Sequence, residues 1–153
     1  MLKPRWSIIA VFLVLLVGCQ VQLVSQYDEQ TDVAVTELQK KTEWFLLELE
    51  ALSTSDKPEA AARRTYAANE GFYRDAQVAI TSMRLRAEAI PKNELTIQEI
   101  TLLEQSFESL RQLHVQGGNA GLRAVVVEPL RSSLNTHFGA IIKLELAKKR
   151  GEP

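Results

Sequence analysis

Residues 23–52 read LVSQYDEQTDVAVTELQKKTEWFLLELEAL, and this stretch decides the fold class. Apolar or small side chains recur through it at steps of three and four residues, the period of a helix with one buried face. The positions on this face are Leu23, Tyr27, Thr31, Ala34, Leu38, Thr42, Phe45, Leu49 and Leu52. At about 1.5 Å per residue, such a helix would be roughly 45 Å long.

A second segment with helical period runs from about residue 58 to residue 90. Asp56 and Glu59 resemble a capping pair at its start, with Pro58 tolerated in the first turn, and Pro91 ends it. Its predicted buried face consists of Ala62, Tyr66, Asn69, Tyr73, Ala76, Ile80, Met83, Ala87 and Ile90.

The third segment is predicted to begin at a capping box of Thr96 and Glu99 and to stop at the glycine pair 117–118. In the fourth segment, Pro129 follows a β-branched run and removes a backbone donor, so we expect a break or kink there. The apolar positions of these two segments are Ile100, Leu103, Phe107, Leu110, Leu113, Leu130, Leu134, Phe138, Ile141 and Leu144.

Four helical segments with short connections predict an all-α protein, an elongated up-down bundle of about four helices. The chain has 153 residues, of which 18 are basic and 19 acidic. This near balance lacks the basic patch that nucleic-acid binding usually requires, so we expect no nucleic-acid partner. A single cysteine excludes an intramolecular disulfide.

Residues 1–18 form a segment of a different kind. Lys3 and Arg5 precede an apolar run of ten residues, Ile8 to Val17. A membrane-spanning helix needs roughly 20 apolar residues, whereas the shorter run is typical of a signal peptide. The sequence therefore predicts a signal helix that is removed, at 1–18, and a mature helical domain at 19–153.

The apolar run ends in Leu16-Val17-Gly18-Cys19, which resembles the lipobox of bacterial lipoproteins with a type II signal peptide. The resemblance implies cleavage before Cys19 and a lipid on its thiol; the alternative is an uncleaved inner-membrane anchor. Gln20 at the second mature position resembles the class sorted to the outer membrane of Gram-negative bacteria. It thus implies a chain held on the lipid bilayer in the cell envelope, facing the periplasm.

Two further stretches strengthen this likeness. With the Tyr27-Asp28 opening and the closing residues 144–150, LELAKKR, the chain is similar to small uncharacterised helical lipoproteins of Gram-negative bacteria. That resemblance implies a location and a fold, and it implies no activity.

Motifs for catalysis or metal binding are absent from the sequence. His114 and His137 lie outside the Glu-x-x-His and His-Glu-x-x-His spacings, and no Cys-x-x-Cys-His, Gly-x-Ser-x-Gly or P-loop pattern occurs. We expect His114 near a frayed helix end and His137 beside the buried face, the alternative being a site that pairs them. The chain is predicted to be no enzyme and to hold no metal or cofactor.

Residues 44–49 read WFLLEL, and five apolar side chains in six positions cannot all face one way. Either the first helix has neighbours on several sides, or part of this belt is exposed for a partner. Tryptophan is common at interface hot spots. Trp44, Phe45 and Leu47 are therefore the candidate partner-contact residues.

These observations predict a membrane-tethered, non-enzymatic interaction or assembly module of the cell envelope, with another envelope protein as its partner. The alternative is a bundle that binds a small apolar ligand or cofactor, oriented by Tyr66, Asn69 and Tyr73. The sequence does not specify the oligomeric state.

Overall fold

The computed structural model describes residues 24–151, which contain no strand. The predicted signal helix at 1–18 and the predicted lipid site at Cys19 lie outside the described residues. The α-helices are α1 (Glu29–Ser53), α2 (Pro58–Arg63), α3 (Tyr66–Ala89), α4 (Glu94–Gln116) and α5 (Ala124–Gly151). A 3₁₀ turn at Gly118–Ala120 precedes α5. The prediction of an all-α protein is confirmed.

The four long helices form a closed ring of neighbours. α1 packs against α5 and α3, and α4 packs against α3 and α5. Because the connections are short, successive long helices run in opposite directions, which is the predicted up-down bundle. The short α2 lies between α1 and α3 and contacts the 3₁₀ turn.

Each long helix places one apolar stripe in a common core, as the helical period predicts. The most deeply buried positions include Val35, Leu46, Leu49, Ile80, Met83, Ile100, Leu103, Leu134, Phe138 and Ile141. None of the helices in the described part of the chain is both long and apolar enough to cross a bilayer.

The second segment differs from the prediction of one continuous helix. It breaks after Arg63, and α3 restarts behind Thr65, whose side chain accepts a hydrogen bond from the Ala68 amide at 3.3 Å. Threonine offers the backbone such a bond in a non-helical conformation and so competes with an unbroken helix. The predicted cap at Asp56 is also wrong, since Lys57 occupies the N-cap position of α2 without a side-chain bond.

One further predicted boundary is wrong, and a predicted break is absent. Thr96 caps nothing: α4 begins earlier, at Glu94, and Thr96 lies fully buried inside it. α5 runs unbroken through Pro129, which is only its sixth residue. The pyrrolidine ring of Pro129 removes one hydrogen bond near the start of α5. Val127 and Leu134, on either side of Pro129, are buried and keep the helix packed against the core.

Candidate functional site

A groove lies between α1 and α3, the neighbouring pair of long helices that packs least closely. Its volume is about 500 Å³. The floor combines stacked rings of Phe45 and Phe72, with centroids 3.7 Å apart, and the small side chains of Ala34, Ala76 and Ala79. These alanines leave room that a larger side chain would fill.

The belt at residues 44–49 divides between the core and this groove. Phe45 is buried, with 6% of its surface exposed, and lines the groove floor. Trp44 stands on the lip of the groove with 72% of its surface exposed, and Leu47 is exposed on the outer side of α1. Both interpretations of the belt therefore hold in part: α1 has neighbours on several sides, and its largest side chain faces solvent.

Charged side chains form the rim of the groove. Glu37 pairs with Lys40 at 2.9 Å, and Glu48 pairs with Arg63. Lys41 on α1 and Asp75 on α3 line opposite walls. Among residues 24–151, neither of these two makes an ion pair or a side-chain hydrogen bond. The groove is thus apolar inside and carries one unpaired charge of each sign at its edges.

A buried histidine lies beyond the aromatic end of the groove. His114 Nδ1 is 2.7 Å from the Tyr73 hydroxyl, and Nε2 is 2.8 Å from the Arg64 carbonyl oxygen. A carbonyl can only accept, so Nε2–H donates to it and Nδ1 accepts from Tyr73. Burial lowers the pKa of His114 and raises that of Tyr73. Burial therefore favours the neutral imidazole. His114 is fully enclosed, which corrects the prediction of a frayed end.

The enclosed His114 makes stability depend on pH. Because its folded pKa lies below the ordinary 6.5, protons bind the unfolded chain first as the pH falls. The free energy of unfolding should therefore decline below about pH 6.5. Urea titrations between pH 7.5 and 5 should show this slope, and a His114→Gln variant should flatten it. An identical slope in that variant would assign the effect to other groups.

The two histidines do not form a paired site. His137 Nδ1 lies 3.5 Å from Glu99 Oε2. Glu99 and His114 are 15 residues apart on α4, about 22 Å along the axis. Within residues 24–151, no three His, Cys, Asp or Glu side chains lie where they could hold a metal ion.

The opposite end of the bundle carries a polar network, which we call the collar: Ser25, Asp28, Arg86, Asn93, Thr96, Glu145 and Lys148. The Arg86 guanidinium donates two hydrogen bonds to the Asp28 carboxylate, of 2.5 and 2.6 Å. The Asp28 amide donates to Glu145 Oε2 at 3.1 Å. The collar therefore joins the segment that leads into α1 to α3 and α5.

Glu145 and Lys148 form the buried half of the collar. The Lys148 ammonium lies 2.5 Å from Glu145 Oε1, 2.7 Å from Asn93 Oδ1 and 2.8 Å from Thr96 Oγ1. Glu145 is fully buried. Ser25 closes the set by donating its hydroxyl to Asn93 Oδ1 at 2.8 Å. These bonds satisfy charges that would be costly to bury alone.

Asp28 gives the collar an acid sensitivity. The Arg86 guanidinium, together with Thr31, lowers the pKa of Asp28 from 3.8 to about 2 against the opposing effect of burial. The carboxylate contributes its stability above the unfolded pKa and loses it as the pH falls from about 5 toward 2. Since Arg86 stays partly solvated, we expect a loss of about 1 kcal/mol. In an acid titration, the Asp28→Asn variant, which retains the helix cap, should lack this loss of stability. A curve that matches that of the unmodified protein would refute the prediction.

The groove is open at the surface of the bundle, whereas His114 and Glu145 are enclosed. Of the three candidate contact residues, Trp44 and Phe45 line the groove and Leu47 does not, and the sequence pattern did not show that α3 supplies the second wall. No protein-family model, curated protein or solved structure matches this chain.

Proposed function

We propose that this chain is a bacterial lipoprotein, held in the cell envelope by a lipid on Cys19, that acts as a non-enzymatic interaction module. Its docking surface is the α1–α3 groove. One observation carries the proposal: Trp44, 72% exposed, stands beside an apolar groove. A large apolar side chain exposed at a concave apolar surface is a common mark of protein recognition.

The chain before the bundle supports the tethering proposal. The Ser25 amide donates to the Lys92 carbonyl oxygen at 2.9 Å, so the bundle holds the chain at this point. The six residue steps from Cys19 to Ser25 reach at most about 20 Å. A lipid on Cys19 would keep the collar end close to the bilayer, and Gln20 favours the outer membrane, facing the periplasm.

The groove volume favours the second candidate function, binding of a small apolar ligand. About 500 Å³ falls in the range of ordinary ligand pockets. Of the three polar residues expected to orient a ligand, Asn69 lines the groove, but its amide already donates to the Arg63 and Thr65 carbonyl oxygens. The Tyr73 hydroxyl is already hydrogen-bonded to His114 Nδ1. This leaves few polar groups to fix a ligand's orientation.

Photo-crosslinking in cells tests the docking surface. A benzoylphenylalanine at position 44 should trap a specific partner protein. The same probe at Val78, which is exposed on the far side of α3, should not. Equal products at both positions would reject the groove as the docking surface, and a trapped small molecule would favour the ligand-binding function.

The lipid anchor has its own test. Cells fed labelled palmitate should label the full-length protein, and Cys19→Ser should abolish the label and release the protein from membranes. Membrane retention of unlabelled Cys19→Ser would replace the lipoprotein proposal with an uncleaved anchor.

A further inference from the structure

The shape of the groove narrows the choice of occupant. Along α1 the lining residues extend from Ala34 to Glu48, 14 residue steps or about 21 Å. Along α3 they extend from Asn69 to Ala79, ten steps or about 15 Å. A volume of about 500 Å³ spread over this length makes a trough wide enough for one row of side chains. Three to four turns of a helix present such a row.

The α3 wall of the groove carries small side chains, so a helix can approach it closely. Ala76, one turn after Phe72, lines this wall with a single methyl group. Ala79 lines the same wall, and Ala68 is exposed one turn before Phe72. Small residues at a contact let two helices approach closely, because no long side chain separates their backbones.

The unpaired charges lie at one level of the trough. The Phe45–Phe72 stack sets the register between α1 and α3. Lys41 is one turn before Phe45, and Asp75 is about one turn after Phe72 on the antiparallel helix. The two charges therefore face each other across the trough, in the way that flanking charges of paired helices select a partner.

We infer that the groove receives an amphipathic helix of a partner protein. Its apolar stripe lies in the trough, an acidic flank meets Lys41 and a basic flank meets Asp75. This rests on the proposed function of the groove as a docking surface and specifies the partner's chemistry. The other rim acids, Glu37 and Glu48, already have basic partners within the chain.

Three synthetic peptides test the charge pattern. Each has about 18 residues, or five helical turns, with the same leucine stripe. The mixed peptide has glutamates along one side of the stripe and lysines along the other. The second peptide has glutamates along both sides, and the third has lysines along both sides. The full-length protein in phosphatidylcholine nanodiscs should bind the mixed peptide about fivefold more tightly than either other peptide by fluorescence anisotropy. Protein-free nanodiscs provide the blank. Equal binding of all three, or binding of none, overturns the inference.

Variants separate the groove from other surfaces. Lys41→Glu makes both walls acidic, so the all-lysine peptide should become the tightest ligand. Lys143→Glu, an exposed change on α5, should leave the order unchanged. Ala79→Phe should fill the trough and abolish binding of every peptide, whereas Val78→Phe on the exposed side should not. An order that survives Lys41→Glu, or binding that survives Ala79→Phe, contradicts the proposed site.

Failure here is distinguishable from failure of the proposed function. If position 44 traps a specific protein in cells but the peptides show no charge preference, the docking surface stands and the helical occupant is rejected. If position 44 traps a lipid or a second copy of this chain, the helical partner is likewise rejected.

Discussion

Glu145→Leu should lower the free energy of unfolding by about 3–5 kcal/mol. The carboxylate accepts hydrogen bonds from Lys148, Thr96 and the Asp28 amide, and no surface of Glu145 is exposed. Removing it leaves a lysine charge buried beside an apolar side chain. Urea unfolding followed by circular dichroism would measure the loss.

A double variant identifies the cause of that loss. Glu145→Leu with Lys148→Met removes both charges and should recover much of the stability, because an apolar pair can replace a buried ion pair at little cost. Glu37→Ala breaks an exposed pair with Lys40 and should cost less than about 1 kcal/mol. If the double variant is as unstable as Glu145→Leu alone, the cost arises from packing and not from the unpaired charge.

Gly121→Ala should lower the free energy of unfolding by about 3 kcal/mol or more, because two effects of up to that size combine. Gly121 has φ 68° and ψ −161°, a conformation that is essentially restricted to glycine. An added Cβ would also lie 2.1 Å from the Arg64 carbonyl oxygen. That oxygen accepts the His114 bond, so the substitution disturbs the turn before α5 and the buried histidine together.

Gly139→Ala is the matched control for Gly121→Ala. Gly139 lies inside α5, and an added Cβ there meets no atom within 4 Å. Alanine should therefore stabilise the protein by about 0.5–1 kcal/mol through its higher helix propensity. The comparison would fail if both alanine variants shifted the urea midpoint in the same direction by similar amounts.

Helical periodicity predicted the fold class and most of the core because burial of one apolar face determines both. It missed Glu145 because charged residues are usually assigned to solvent. A signal was present in the spacing. Ile141 follows Phe138 by three residues and Glu145 follows Ile141 by four, so Glu145 lies on the buried face of α5. Thr96, four residues before Ile100, lies on the buried face of α4 in the same way. A polar residue on the buried apolar face of a helix indicates a buried hydrogen-bond network only when its partners are known. Those partners lie on other helices.

Local capping signals failed where tertiary contacts were stronger. Thr96 fits a cap by its spacing to Glu99, yet its hydroxyl bonds to Glu145 and Lys148 in the interior. The groove was equally beyond reach, because it depends on how far apart α1 and α3 lie. Trp44 could be singled out from the sequence, while the pairing of Phe45 with Phe72 could not.

The collar also sets a fixed distance between the start of α1 and the proposed docking surface. Asp28 is held to α3 and α5, so the chain has no slack between that point and α1. Trp44 lies 16 residue steps further on, about 24 Å along the helix. With a lipid on Cys19, the distance from the collar to Trp44 would stay constant, and the height of the groove above the bilayer would vary with the extension of the six residue steps from Cys19 to Ser25. Partners at different heights above the membrane would then be engaged by extension of this short segment and not by deformation of the bundle.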